Sequence, residues 1–357
     1  MQLPFGIGKS RSIVGLDIGS SSVKAVELAV KPKGIELLHL GVAKLPPEAI
    51  VQGAFLNAAA ITEAIREAID NGGIKSKNVA TAVSGHSVIV KKISLPTMTR
   101  EELEESIRWE AEQYIPFDIN EVNLDFQILD SGDQEGQMDV LLVAAKKDLI
   151  DDYVHVITDA GLRPVVIDVA AFAVENAFEG NYDARHDEVV ALVNVGSQTV
   201  NINILAKGSP AFTRDISTGG NAFTEEIQKA LSVSWEEAER IKIGGTAREE
   251  SQDVVPQEVE QAVRGVTDTV IGEISRSLDF FAATAADSRI AKVMVSGGGS
   301  RVSGFESAFQ GKTNLPVARL NPLQRVVSTH KLDADLLEEW GPSLSVAVGL
   351  AMRKMEV

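Results

Sequence analysis

The chain has 357 residues, 44% hydrophobic and 24% charged, with only 5% aromatics. That is too long for one ordinary core, and it suggests at least two domains with aliphatic interiors. A formal net charge of −17 repels phosphate backbones and argues against general nucleic-acid binding, while leaving room for a nucleotide held by local backbone N–H groups. With no cysteine there is neither a disulfide framework nor a thiolate zinc site. Neither a signal core in MQLPFGIGKSRS nor a membrane-length apolar run is visible, so a soluble protein is expected.

In chain order, GIGKS (Gly6–Ser10) superficially suggests a P-loop. It lacks the leading glycine of that motif and precedes a strand, so it reads as a flexible, slightly basic arm. GLDIGSSSVKAVEL (Gly15–Leu28) reads as strand, small polar turn and second strand, and KGIELLHLGVAKLP as a third. NAAAITEAIREAIDNGG has helical spacing and stops at Gly72 and Gly73. NVATAVSG reads as a buried strand. From Val88 the character changes: an alternating strand to Pro96 is followed by a helix opened by Thr99 and Glu102 at capping-box spacing. Two antiparallel strands around SGDQEGQ follow, then a helix stopped by Gly161. RPVVIDVAAFAVENAF returns to strand and apolar helix. The polar stretch Asn181–Asp187 is a candidate hinge between halves.

Beyond it, VVALVNVGSQTVNINILAKG repeats the opening. Asp17-Ile18-Gly19-Ser20 matches Asn194-Val195-Gly196-Ser197, and Val23 matches Val200, at a constant offset of 177 residues. Two copies at half-chain spacing suggest duplicated halves facing a cleft. Backbone N–H groups of Gly/Ser turns converge into anion-binding nests. Ser20, Ser21, Ser22, Ser197, Gln198 and Thr199 add side-chain donors and Lys24 a positive charge, so two opposed turns suit a polyphosphate. Asp17, at the end of its strand, suits a hydrated magnesium, which prefers oxygen ligands and keeps several waters. Lys24 is open to two readings, a phosphate contact or a solvated strand lysine. The five histidines show no metal-binding spacing.

These motifs resemble the superfamily of actin, sugar kinases and heat-shock chaperones. The two turns look like its two phosphate loops, with Asn194 where most members have Asp. VMVSGGGSRVSGF looks like its adenosine motif, which implies Gly297, Gly298, Gly299, Ser300 and Arg301. STGGNAFTEEI resembles the glycine pair, Gly219 and Gly220, that leads into the second-half subdomain. SWEEAERIKI resembles the helix whose acid and lysine approach ribose and base, here Glu239 and Lys242. GPSLSVAVGLAMR resembles the closing helix. The implied fold is α/β, an actin-like ATPase with two duplicated halves around a nucleotide cleft and an FtsA-type α+β insert. The implied cofactors are ATP and magnesium, the latter through water on Asp17 and Asn194.

The insert's place, and IRWEAEQYIPFDINEVNLDFQIL within it, resemble the PilM family of type IV pilus assembly proteins. On that resemblance residues 1–87 and 161–186 form the first core subdomain and 88–160 the insert. Residues 187–220 and 290–357 form the second core subdomain, and 221–289 a mainly helical one. The resemblance implies a cytoplasmic ATP-binding scaffold at the inner face of the inner membrane. It would hold the short N-terminal cytoplasmic tail of PilN in a groove beside the insert and link to pilus motor ATPases and the platform protein, peripheral to the membrane and with an oligomer open. Trp109, Tyr114, Pro116 and Phe117 read either as a core-facing stripe or as part of that groove.

A polar residue on the helix after the first half's last strand positions the hydrolytic water in actin's branch. Here Phe172 or a neighbouring alanine falls there, and Glu175 reads as a helix-surface acid. General-base help is worth about 10²–10⁴-fold, so ATP is expected to be held and hydrolysed slowly or not at all. The alternatives are a filament-forming, FtsA-like protein and, less favoured, a small-molecule kinase. AMRKMEV directly after the closing helix argues against an FtsA-type amphipathic anchor.

Overall fold

The computed structural model describes residues 13–31, 34–129, 136–183, 185, 187–243, 257–285, 289–328 and 334–353. The arm containing GIGKS, most of the turn SGDQEGQ and the last four residues of AMRKMEV lie outside the described residues.

The first half opens with β1 (Val14–Ile18), β2 (Ser22–Lys31) and β3 (Gly34–Lys44), an antiparallel meander. The short β4 (Ile50–Val51) and β5 (Ala54–Phe55) lead to α1 (Ala58–Asn71), which is capped by Asn57 and ends at Gly72. Next is β6 (Asn78–Val83), parallel to β1. The insert follows: β7 (Val88–Pro96), α2 (Arg100–Glu112), β8 (Val122–Ile128) and β9 (Gln137–Lys146), the strands in order β7-β9-β8. Thr99 and Glu102 close the expected capping box at the start of α2, whose Leu103, Ile107 and Ala111 cover the small sheet.

Helix α3 (Lys147–Asp159) reads in sequence as the insert's last element. Its Tyr153, Val156 and Ile157 instead pack in the first core with Ile61 and Ile65 of α1. An amphipathic helix follows whichever apolar surface its stripe meets. Strand β10 (Arg163–Val169) then joins β6, and α4 (Ala170–Asn181) closes the half.

The second half repeats the plan. Strands β11 (Val189–Val195), β12 (Val200–Ala206) and β13 (Ser209–Ile216) form the meander. Helices α5 (Gly220–Leu231), α6 (Trp235–Lys242) and α7 (Gln257–Thr284) follow, then β14 (Ile290–Ser296), α8 (Phe305–Thr313) and β15 (Val317–Arg319). The sheet order β13-β12-β11-β14-β15 reproduces β3-β2-β1-β6-β10 strand for strand, so the sequence repeat is a duplicated topology. Strand β16 (Val326–Ser328) adds to the first sheet beside β3, and α9 (Ala334–Trp340) and α10 (Ser345–Ala351) complete the described chain. No described helix is long and apolar enough to cross a membrane.

Helices α4 and α10 cross between the two sheets, where Ala173, Val174 and Phe178 meet Leu192, Leu205, Met294 and Leu350. The crossing is close enough to require glycine. A Cβ on Gly349 would stand 1.7 Å from the Ala173 carbonyl, and one on Gly15 of β1 would stand 1.9 Å from that of Ala347. Asn181, read in sequence as part of a polar hinge, is buried at the end of α4. It donates to Ala177 O (2.8 Å) and Pro322 O (2.7 Å) and accepts from Arg325 N–H (2.9 Å), so it staples the C-terminal segment to the first half.

Glu175 is also corrected. It is buried against β12, where Asn203 Nδ2 donates to it at 2.8 Å, because the second sheet covers the α4 face that an isolated helix would expose. Burial pushes its carboxyl up to about 8 from an ordinary 4.5.

Two outcomes are expected. Gly349→Ala costs about 1–3 kcal/mol by overpacking, whereas Gly311→Ala in α8, with nothing within 4 Å of the added atom, leaves or slightly raises the thermal midpoint. Because the Glu175 pKa is raised on folding, the native chain holds more protons than the unfolded chain between about pH 4.5 and 8. Glu175 therefore makes stability fall as pH rises through that window. Denaturant titrations from pH 5 to 8.5 show that fall reduced in Glu175→Gln.

Candidate functional site

Each meander begins with the same hairpin. Gly19 N–H donates to Ser22 O at 3.1 Å and Gly196 N–H to Thr199 O at 2.9 Å, so each turn carries two residues at its tip, Ser20-Ser21 and Ser197-Gln198. The tips meet: Ser20 Oγ and Ser197 Oγ are 2.6 Å apart, residues separated by the repeat offset itself. Gln198 extends the contact, donating to Ile50 O at 2.7 Å and accepting from Gln52 N–H at 2.9 Å.

Behind each tip lies a matched cross-strand pair. Asp17 faces Lys24 in register, with Lys24 Nζ 3.0 Å from Asp17 Oδ2. Lys24 is buried at the root of its turn, which removes the solvated-lysine reading. At the equivalent place Asn194 faces Asn201, and Asn194 Nδ2 donates to Asn201 Oδ1 at 3.1 Å. An ion pair in the first half is an amide pair in the second.

These groups line a cavity of about 420 Å³ between the halves. Its wall contains Asp17, Gly19, Ser20, Ser21, Ser22 and Lys24 from one side. From the other come Asn194, Gly196, Ser197, Gln198, Thr199, Gly220, Glu239, Lys242, Gly297, Gly298, Gly299 and Arg301. Of the residues singled out in sequence, Gly219 and Ser300 stay behind the wall. A Cβ on Gly219 would stand 2.5 Å from Gly196 O, and the buried Ser300 hydroxyl donates to Gly297 O at 2.7 Å. Both support the loops that do reach the cavity.

The triple glycine has a packing cause. Gly297 has φ +86°, and a Cβ there would meet Val195 O at 2.3 Å; one on Gly299 would meet Val195 Cγ1 at 2.6 Å. The loop is thus pressed onto the end of β11, next to the second turn. A segment that sequence reasoning tied only to the closing helix holds it from outside. Gly297 N–H donates to Pro342 O at 2.8 Å, Arg301 donates to Glu339 O, and Trp340 and Ser343 join the cavity wall. In the same half, Lys242 Nζ reaches Glu239 Oε1 (2.5 Å), Thr224 Oγ1 (2.9 Å) and Gly220 O (3.3 Å), which fixes α6 on the start of α5.

Sequence reasoning also missed Lys44, Ser84, Gly85 and His86 on the wall, and Asp215 behind it. Helix α4 presents Ala170 to the cavity; Phe172 is half-buried and off the wall. In the insert, Tyr114 and Phe117 pack against its core, while Trp109 faces away and is 74% exposed.

Comparison with known proteins agrees with this architecture. Residues 15–355 match the family described as type IV pilus assembly protein PilM. The solved structure of a PilM–PilN type IV pilus biogenesis complex superposes with a TM-score of 0.85 at 31% identity, covering 97% of this chain and 99% of that one. The ethanolamine utilization protein EutJ from Carboxydothermus hydrogenoformans shares the fold at a TM-score of 0.58 and 18% identity, over 98% of this chain and 90% of its own. MreB5 of Spiroplasma citri bound to ADP does so at 0.50 and 13%, over 96% and 95%. The cell division protein FtsA of Neisseria meningitidis is 23% identical over 87% of this chain and 83% of its own length. That of Bacillus subtilis is 23% identical over 64% of this chain, which spans 57% of that protein. With its duplicated actin-like ATPase fold and a match from residue 15 to residue 355, the chain belongs to the type IV pilus assembly protein PilM family.

Proposed function

We propose that the chain is an ATP-binding scaffold of a type IV pilus assembly platform, which holds the N-terminal cytoplasmic tail of PilN. Its place is the inner face of the inner membrane, reached through partners, with motor ATPases and the platform protein among its contacts. The observation that carries the nucleotide half is the meeting of two equivalent turns at Ser20 and Ser197 on the wall of one cavity. The partner half rests on the likeness to the PilM–PilN complex over nearly the whole of both chains.

The donors present fit a nucleotide triphosphate. Lys24, Lys44 and Lys242 supply cationic groups on the wall of an otherwise acidic protein, together with serine hydroxyls and turn amides. Ser22 Oγ is a buried wall hydroxyl with no hydrogen-bond partner among the described residues, the kind of group a ligand oxygen satisfies. Asp17 would hold magnesium through its waters, while the Asn194 carbonyl already accepts from Ser296 Oγ. Among the described residues no cluster of three or more His, Asp or Glu could grip a metal unaided, so the ion would arrive with the phosphates. Bound magnesium supplies charge neutralisation to those phosphates. Lys24, paired with Asp17, supplies a fixed positive charge at the first turn, and the Trp340 segment closes the base end.

Slow hydrolysis follows from the wall of α4. The Ala170 side chain has no group that accepts a hydrogen bond from water. The expected result with purified protein is binding of ATP–magnesium with steady turnover below about one per minute, the scale set by a missing general base. Rapid turnover would return the chain to an ATP-burning reading. In a calorimetric titration, a synthetic PilN-type tail binds more tightly with ATP–magnesium present than without; equal affinity would make the nucleotide purely structural.

A further inference from the structure

Four polar residues lie directly opposite one another across the second sheet. Ser296 of β14 is in register with Asn194 of β11, Asn194 with Asn201 of β12, and Asn201 with Asp215 of β13. They form an unbroken chain of hydrogen bonds. Ser296 Oγ donates to Asn194 Oδ1 (3.1 Å), Asn194 Nδ2 to Asn201 Oδ1 (3.1 Å), and Asn201 Nδ2 to Asp215 Oδ1 (2.8 Å). The other oxygen of Asp215 accepts from Gly85 N–H of the first half at 2.5 Å. Gly85 stands three residues before β7, the first strand of the insert.

The direction of this chain has one source. An amide side chain is satisfied equally well turned either way, and a hydroxyl both donates and accepts. An ionised carboxylate accepts only. Burial raises the Asp215 carboxyl, while the N–H donors of Asn201 and Gly85, one on each oxygen, favour its ionised form. As an acceptor it takes an N–H from Asn201, which then turns its carbonyl to Asn194, which in turn keeps its N–H₂ toward β12 and its carbonyl toward β14. We propose that Asp215, which takes no part in the cavity wall, is a positioning residue. It makes Asn194 present its amide N–H on the side of the second phosphate turn, as a donor to a phosphate oxygen. The inference rests on the reading of the cleft as a nucleotide site. The first half needs no such relay, because Lys24, at the position equivalent to Asn201, donates whichever way it is turned.

The row can be rewired by removing its carboxylate or by moving it one strand over. Asp215→Asn still satisfies every group, but only with all the amides reversed, which puts the Asn194 carbonyl on the phosphate side. Asn201→Asp alone sets two carboxylates against each other. The double variant Asn201→Asp/Asp215→Asn again has an acceptor-only group facing Asn194, and so restores its original direction. The experiment measures thermal midpoints without ligand and the affinity for ATP–magnesium by calorimetry. For Asp215→Asn a near wild-type midpoint is expected, with affinity about tenfold lower, the scale of one hydrogen bond to a charged group. For Asn201→Asp a lowered midpoint is expected, and for the double variant recovery of the midpoint alone, since Asn201 lines the cavity and a carboxylate there repels phosphate whichever way Asn194 is turned. Wild-type affinity in Asp215→Asn, or a double variant that does not recover the midpoint, overturns the assignment. Absence of ATP binding in the wild type sinks the nucleotide reading and with it the role given to Asn194. The midpoint cycle still reports separately whether the relay exists.

Discussion

The hydroxyls of Ser20 and Ser197 meet because two hairpins of the same build project from two sheets of the same strand order. Each turn alone is a two-residue connection between antiparallel strands and needs no ligand to exist. Set tip to tip at the bottom of a shared cavity, the two become a pair of jaws. The rest of the chain keeps them there. Helices α4 and α10 cross at glycine-limited distance between the sheets, Asn181 pins the C-terminal segment to the first half, and the triple-glycine loop is pressed onto the end of β11.

The duplication is not symmetric in charge. The first turn is backed by an ion pair between Asp17 and Lys24, the second by Asn194 and Asn201 with the acid displaced two strands away to Asp215. A buried ion pair is costly to desolvate and is tolerated where its geometry is good. Neutral amides avoid that cost but have no inherent direction, so an acceptor-only group is needed to set one. Through its second oxygen Asp215 also reaches Gly85, so the row that orders the second turn ends in the opposite half, beside the insert. The β13 edge thereby links the cleft wall to the root of the subdomain proposed to hold a partner's tail.

Much of this was legible in the sequence because it is local or periodic. The repeat of GLDIGSSSV as NVGSQTV, the capping box at Thr99 and Glu102, and the glycine stop of α1 each depend on residues a few positions apart. The Gly-rich segments likewise led to the cavity wall. What escaped depends on tertiary contact. Glu175 looked like a surface acid because nothing local says that a second sheet covers its helix. Helix α3 followed the insert in sequence but packs on α1. Asp215 and Gly85 are 130 residues apart, and no spacing rule joins them. The segment around Trp340 carries no phosphate-loop pattern, yet it completes the cavity wall.

In the proposed nucleotide site both turns grip one polyphosphate. Calorimetric titration of ATP–magnesium into Ser20→Asp and Ser197→Asp tests it most directly, since each places a negative charge at one tip without touching the glycines that shape the turn. Loss of binding in both variants, with folding retained, is the predicted result. Wild-type affinity in either one would show that its turn does not hold phosphate and that the cleft is not a two-sided clamp.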